Sequence, residues 1–345
     1  MVNLRYVSTL VALAVSFAPA GVKGTSYTLD NEIAGYEFYH AFDWQAIADP
    51  THGRVQYVDK VTSISHNLTY ATKDTFILRG DYQKTLQPDG PGRMSARIMS
   101  KKVYKKHVVV VDLRHMPQGC GTWPAIWETA IGNWPNDGEV DIVEGVNNAV
   151  PNAAALHTGP GCMMPPQEGR THTGTAGQLD CDAAVNYNTG CTVKFPSSPP
   201  SFGPPFNANG GGWFAMERSD EEGIKIWFWA REHRHDHGHG SGHHRRTELG
   251  GHAGKRVPKD VKFGGRRVDP KSWGTPAAHY PTTHCDFSQH FKEHHIIINL
   301  TFCGDWAGGV YPQSGCPSTC VDYVNNNPEA FRDAYFDFAA LRVYT

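Results

Sequence analysis

Residues 136–145 read Asn136-Asp137-Gly138-Glu139-Val140-Asp141-Ile142-Val143-Glu144-Gly145. Turn-forming residues bracket six positions that mix acidic and β-branched side chains, which is the grammar of a β-strand. Alternate side chains of a strand share a face, so Glu139 and Asp141 point the same way. Strict alternation then places Val143 beside them and Glu144 on the opposite face. One extra residue, a β-bulge, returns Glu144 to the acidic face, and bulges are frequent beside active sites. Val140 and one or both of Ile142 and Val143 then face a core.

The same grammar recurs along the chain. Residues 75–78, 108–111, 224–229, 296–302 and 341–344 are short β-branched and aromatic runs separated by Gly, Pro, Asn and Asp. Helical stretches are few, so the pattern predicts an all-β sandwich. One short helix is expected near the end, with Asn327 as its cap, Pro328 in the first turn and Glu329 at the positive pole. The 345 residues suit one domain of this class. Gly 36 and Pro 23 supply turns without reaching a disordered composition, and Trp 9, Tyr 14 and Phe 16 supply a sizeable core. A formal charge of −2 argues against a surface that as a whole tracks nucleic acid or an anionic membrane.

The amino-terminal residues Met1-Val2-Asn3-Leu4-Arg5 precede an apolar run over 7–18 and the small-residue pattern Ala18-Pro19-Ala20. This is the anatomy of a secretory signal peptide over 1–20, with cleavage between 20 and 25. The apolar run is about a dozen residues, too short to span a ~30 Å hydrocarbon core. Eight cysteines lie beyond it: Cys120, Cys162, Cys181, Cys191, Cys285, Cys303, Cys316 and Cys320. An even count in an extracellular chain points to as many as four disulfides, whose pairing the sequence leaves open. Paired short metal-ligand spacings are missing, so no zinc site is expected. Asn67-Leu68-Thr69 and Asn299-Leu300-Thr301 are glycosylation sequons, the second inside an apolar run that suits burial.

One segment differs in composition. Residues 231–268 contain seven histidines, His233, His235, His237, His239, His243, His244 and His252, with ten basic against four acidic residues. Such a stretch has little to bury and reads as an inserted loop. Solvated loop, metal binding through the histidines and a pH-dependent contact with acidic polymers are its three readings.

Three carboxylates on one strand face raise one another's pKa. Enzymes use such a pair by keeping one carboxyl protonated as an acid and the other ionised as a nucleophile. Solvated surface acids and calcium binding are the alternatives. Trp123, Trp127 and Trp134 lie just upstream, and Trp306 follows Cys303-Gly304-Asp305. Indole faces pack well on the apolar faces of sugar rings. Together these residues point to a glycan site.

The run Gly119-Cys120-Gly121-Thr122-Trp123-Pro124-Ala125-Ile126-Trp127-Glu128, followed by Trp134-Pro135 and residues 136–145, resembles glycoside hydrolase family 16. It is most similar to the fungal laminarinase-like endo-β-1,3(4)-glucanases. The resemblance extends to residues 92–98, 156–158, 210–218, 273–276, 303–308 and 321–328, so it spans about 26–345. It implies a concanavalin-like β-jelly-roll sandwich with a concave glycan-binding cleft. It implies Glu139 as nucleophile, Asp141 as the carboxylate that tunes it, and Glu144 as general acid/base. His157 then stands near the acid/base, and Trp127, Trp134, Trp306 and Arg97 line sugar subsites. Trp123 is either a subsite residue or core.

The expected protein is therefore a secreted, monomeric endo-β-glucanase. It retains anomeric configuration through a double displacement on β-1,3 and mixed β-1,3/1,4 glucans. It requires no cofactor or metal, and its partner is the β-glucan, not nucleic acid or membrane. A transglycosylase with the same carboxylates and a catalytically silent glycan-binding protein are the rival readings.

Overall fold

The β-branched and aromatic runs form strands in the computed structural model, which describes residues 26–231 and 256–345. The expected signal peptide and the seven histidines of the basic segment lie outside the described residues. Two large antiparallel sheets build an all-β jelly-roll sandwich. The sheet that carries the acidic strand runs edge to edge through Thr175–Ala176, Cys191–Lys194, Ala153–His157, Glu139–Glu144, Thr122–Thr129, His294–Phe302, Arg97–Tyr104 and Phe42–Trp44. The other runs through Arg267–Val268, Tyr27–Ile33, Tyr335–Tyr344, His107–His115, Gly212–Ser219, Gly223–Ala230 and Ala278–Tyr280. Phe76–Arg79 also pairs with Tyr335–Tyr344, and Thr69–Ala71 pairs with Phe76–Arg79.

The central valine run shows how the second sheet is buried. Val109, Val111 and Leu113 join the core between the sheets, with Ile126, Val140 and Ile298 from the facing sheet. Val108 and Val110 point the other way, into a second apolar cluster with Trp213, Trp227, Trp229 and Trp273. A strand covered on both faces needs apolar residues at every position, which explains the continuous run.

What covers that outer face corrects one expectation. The reading of 231–268 as a loop fails for its last residues. Lys259–Phe263 is a helix, and Arg267–Val268 pairs with the first strand at Tyr27 and Thr28. Val257, Val261 and Val268 are buried against the tryptophans, and Trp273 Nε1 donates to Asp260 Oδ2 at 3.0 Å. Three valines are few by composition; Val261 lies within the helix, and Val257 and Val268 flank it on either side.

The carboxy-terminal helix is also shifted from its expected place. It spans Cys320–Asn326 and is capped by Thr319, whose Oγ1 accepts from Asp322 N–H. Asn327 and Pro328 begin a separate 3₁₀ turn, and the Asn327 side chain donates back to the Tyr323 carbonyl instead of capping. All eight cysteines pair, as Cys120–Cys316, Cys162–Cys285, Cys181–Cys191 and Cys303–Cys320. No described helix is long and apolar enough to cross a membrane.

Candidate active site

The strand Glu139–Glu144 carries the bulge that its three acids require. Asp141 stands opposite Trp127, but the next pair is Val143 with Ile126, so Ile142 is the extra residue. Val140, Ile142 and Val143 are all fully buried in the core between the sheets. Glu139, Asp141 and Glu144 turn to the opposite, outer face, which is the site face.

His157 stands across from Glu139 on the neighbouring strand. Its Nε2 lies 3.3 Å from Asp141 Oδ2 and 3.9 Å from Glu139 Oε1. Its Nδ1 is 2.9 Å from Asn188 Oδ1. Asn188 belongs to a turn closed by the Cys181–Cys191 disulfide, in which Asn186, Tyr187 and Asn188 all adopt positive φ. Gly190 lets this turn approach: a Cβ there would meet His157 Cε1 at 2.9 Å and the Leu156 carbonyl at 2.4 Å.

The tryptophans hold the outer carboxylates. Trp134 Nε1 donates to Glu139 Oε2 at 2.9 Å, and Trp123 Nε1 donates to Glu144 Oε1 at 2.8 Å. Trp306 meets Trp123 edge-on at 5.6 Å between ring centroids. Trp127 Nε1 donates to Asn299 Oδ1 at 2.7 Å, and the Arg97 guanidinium lies 4.9 Å from the Trp127 ring centroid. Arg97 Nε donates in turn to Gln45 Oε1. The nine residues singled out from the sequence thus fall into three contact groups: Trp134, Glu139, Asp141 and His157; Trp123, Glu144 and Trp306; and Trp127 with Arg97.

Burial and crowding raise both glutamates. Burial, then the charge of Asp141, raises Glu139 to about 7, against the pull of His157 and the Trp134 N–H. Burial, then Asp141, holds Glu144 well above the usual carboxylate range despite the Trp123 hydrogen bond. Burial alone would lower His157, but its contact with Asp141 and the nearby carboxylates outweigh this and raise it to about 10. Both glutamates are therefore harder to ionise than free carboxyls, so each can hold a proton beyond the ordinary carboxylate range. Glu139, Asp141 and His157 also bring possible ligand atoms within 4.8 Å of one another.

Three supporting residues escaped the sequence reading. Asn299 was visible only as a sequon, yet it is buried on its strand and accepts from Trp127. Asn188 lay in a recognisable Asn- and Gly-containing turn. Gln45 gave no signal.

Comparison with known proteins agrees with this geometry. The model of the XgeA-like, catalytic GH16 domain matches residues 42–237 and 252–344. A probable glycosidase of Schizosaccharomyces pombe is 41% identical over 325 residues, 93% of this chain and 70% of that protein. A probable endo-1,3(4)-β-glucanase of Aspergillus clavatus is 38% identical over 354 residues, 99% of this chain and 50% of that protein. The chain thus spans about half the length of that relative. The GH16 Laminarinase 16A of Phanerochaete chrysosporium, solved with 6-O-glucosyl-laminaritriose in donor and acceptor sites, is 52% identical. It superposes with a TM-score of 0.84 over 93% of this chain and 100% of its own. An elongating GH family 16 β-1,3-glucosyltransferase is 34% identical, with a TM-score of 0.79 over 92% of this chain and 100% of its own.

Proposed function

This chain belongs to glycoside hydrolase family 16, and from that premise we propose that it is a secreted, retaining endo-β-glucanase acting on β-1,3 and mixed β-1,3/1,4 glucans. The observation that carries the proposal is the bulged strand, which sets Glu139, Asp141 and Glu144 on one face. Glu144 protonates the glycosidic oxygen as Glu139 attacks the anomeric carbon. The leaving sugar departs with that proton, and a glycosyl-enzyme ester forms on Glu139. Glu144, now ionised, takes a proton from water as the water displaces Glu139, so configuration is retained overall. Asp141, beside the charged His157, orients the nucleophile. Trp127, Trp134, Trp306 and Arg97 contact the sugars, and Trp123 acts on Glu144 through its N–H.

The test incubates the protein and its Glu139→Gln and Glu144→Gln variants with laminarin and barley mixed-linkage glucan. Short oligosaccharides with the β-anomer formed first are expected from the wild type alone. Near-normal turnover by either variant, or an inverted first product, refutes the assignment. The mechanism needs two carboxyls and water, so EDTA is expected to leave the rate unchanged. Secretion is supported by the leader-like amino terminus and the four disulfides.

Transfer to a sugar acceptor is the second reading, favoured by the similarity to the β-1,3-glucosyltransferase. The same glycosyl-enzyme serves both outcomes. Products longer than the substrate at high laminari-oligosaccharide concentration identify transfer, and shorter products alone identify hydrolysis.

A further inference from the structure

The strand Ala153–His157 pairs with the acidic strand only as far as Ala155 opposite Asp141. Beyond that point residues 142–144 have no strand on this side, although the bulge lies there. The side chain of Asn152 takes the strand's place. Its Oδ1 accepts from the Glu144 N–H at 3.0 Å, and its Nδ2 donates to the Ile142 carbonyl at 3.0 Å. A carboxamide offers one acceptor and one donor side by side, as a peptide group does. Asn152 is itself fully buried, and its backbone N–H donates to Ser201 Oγ at 3.1 Å, on an equally buried serine.

We propose that Asn152 is a positioning residue for the reaction. It clamps the two backbone groups that flank Val143, and thereby fixes where the Glu144 carboxyl stands relative to Glu139. The proposal rests on the assignment of Glu144 as acid/base. The other side of the bulge is held by a full strand, through Val143 opposite Ile126 and Glu144 opposite Ala125. On the Asn152 side a single side chain does the holding. The regular register that competes with the bulge turns Glu144 toward the core and Val143 toward the site. Even a shift of about 1 Å in a reacting group costs on the order of 10²-fold in rate.

The test measures kcat, KM and the pH–rate profile on laminarin, with thermal unfolding of the same samples. Asn152→Ala removes both bonds, and its kcat is expected to fall on the order of 10²-fold with KM little changed. Asn152→Asp guards against a variant that does not fold. A protonated carboxyl still accepts and donates, whereas an ionised one can only accept. Its kcat is expected near wild type in acid and to fall at lower pH than the wild-type alkaline limb. A folded Asn152→Ala with wild-type kcat overturns the proposal. So does an Asn152→Asp profile superimposable on wild type. Glu144→Gln, run alongside, separates the two failures, because activity there refutes the acid/base assignment whatever Asn152 does.

Discussion

Four tryptophans lie on the site face and four on the far side of the sandwich, and they do different work. Trp213, Trp227, Trp229 and Trp273 are 3–4% exposed. Trp273 meets Trp227 and Trp229 edge-on at 5.2 and 5.8 Å, and the cluster lies beneath the 256–268 segment. Trp227 donates to the Gly274 carbonyl, and Trp213 Nε1 has no hydrogen-bond partner among the described residues. On the site face Trp134 is 47% exposed, and Trp123 and Trp134 donate to Glu144 and Glu139. The same side chain is ballast in one place and an electrostatic tool in the other. What separates them is exposure and what the indole N–H touches.

The far-side cluster gives the largest expected effect. Trp273→Ala empties a packed site and strands Asp260, and is expected to cost about 3–5 kcal/mol of stability. Its kcat on laminarin, per folded molecule, is expected to match wild type. Denaturant unfolding and active-site-normalised kinetics check both halves. A large loss of kcat in the folded fraction would erase the division between the two groups.

How much of this was legible in the sequence follows the same line. The bulge was readable because a third acid on one strand face requires a break in alternation. Trp123 and Trp127 were readable because they lie just upstream of the acidic strand, and the structure pairs their strand directly with it. Asn188 and Asn299 reach the site from segments distant in the sequence, so only the folded topology makes them neighbours. The valines of 256–268 were missed for a related reason. They have value only against tryptophans from three other parts of the chain. The Asn327 cap was a local error of eight residues, since Thr319 offered the same capping chemistry one helix earlier.

On the site face the indole hydrogen bonds are expected to appear as shifts in pH profile with little change in stability. Trp134→Phe keeps an aromatic ring but removes the donor that stabilises ionised Glu139. The Glu139 pKa then rises, and because the nucleophile must be ionised, the acid limb of kcat/KM moves to higher pH. Trp123→Phe removes the donor on Glu144 and raises it further. Glu144 must be protonated, so here the alkaline limb moves to higher pH. The two variants thus shift opposite limbs in the same direction, and unmoved limbs in both would reduce these indoles to sugar platforms.

The smallest effect concerns stability and sharpens the contrast from the other side. A carboxyl whose folded pKa lies above its unfolded value contributes stability in full below the unfolded pKa. That contribution is lost as pH rises through the folded pKa. Glu139 and Glu144 both have raised values, the first about 7, so both weaken the fold as pH rises above the ordinary carboxylate range. Glu144→Gln keeps the shape and cannot ionise. It is expected to melt higher than wild type at pH 8, with the difference shrinking as pH falls toward 5. Thermal unfolding at several pH values reads this directly. Trp273→Ala is expected to lower the melting temperature across the pH range, because most of its loss is packing. A pH-independent gain in Glu144→Gln would mean that the site face is stabilised by packing, as the far side is, and that its burial of charge is not what catalysis costs the fold.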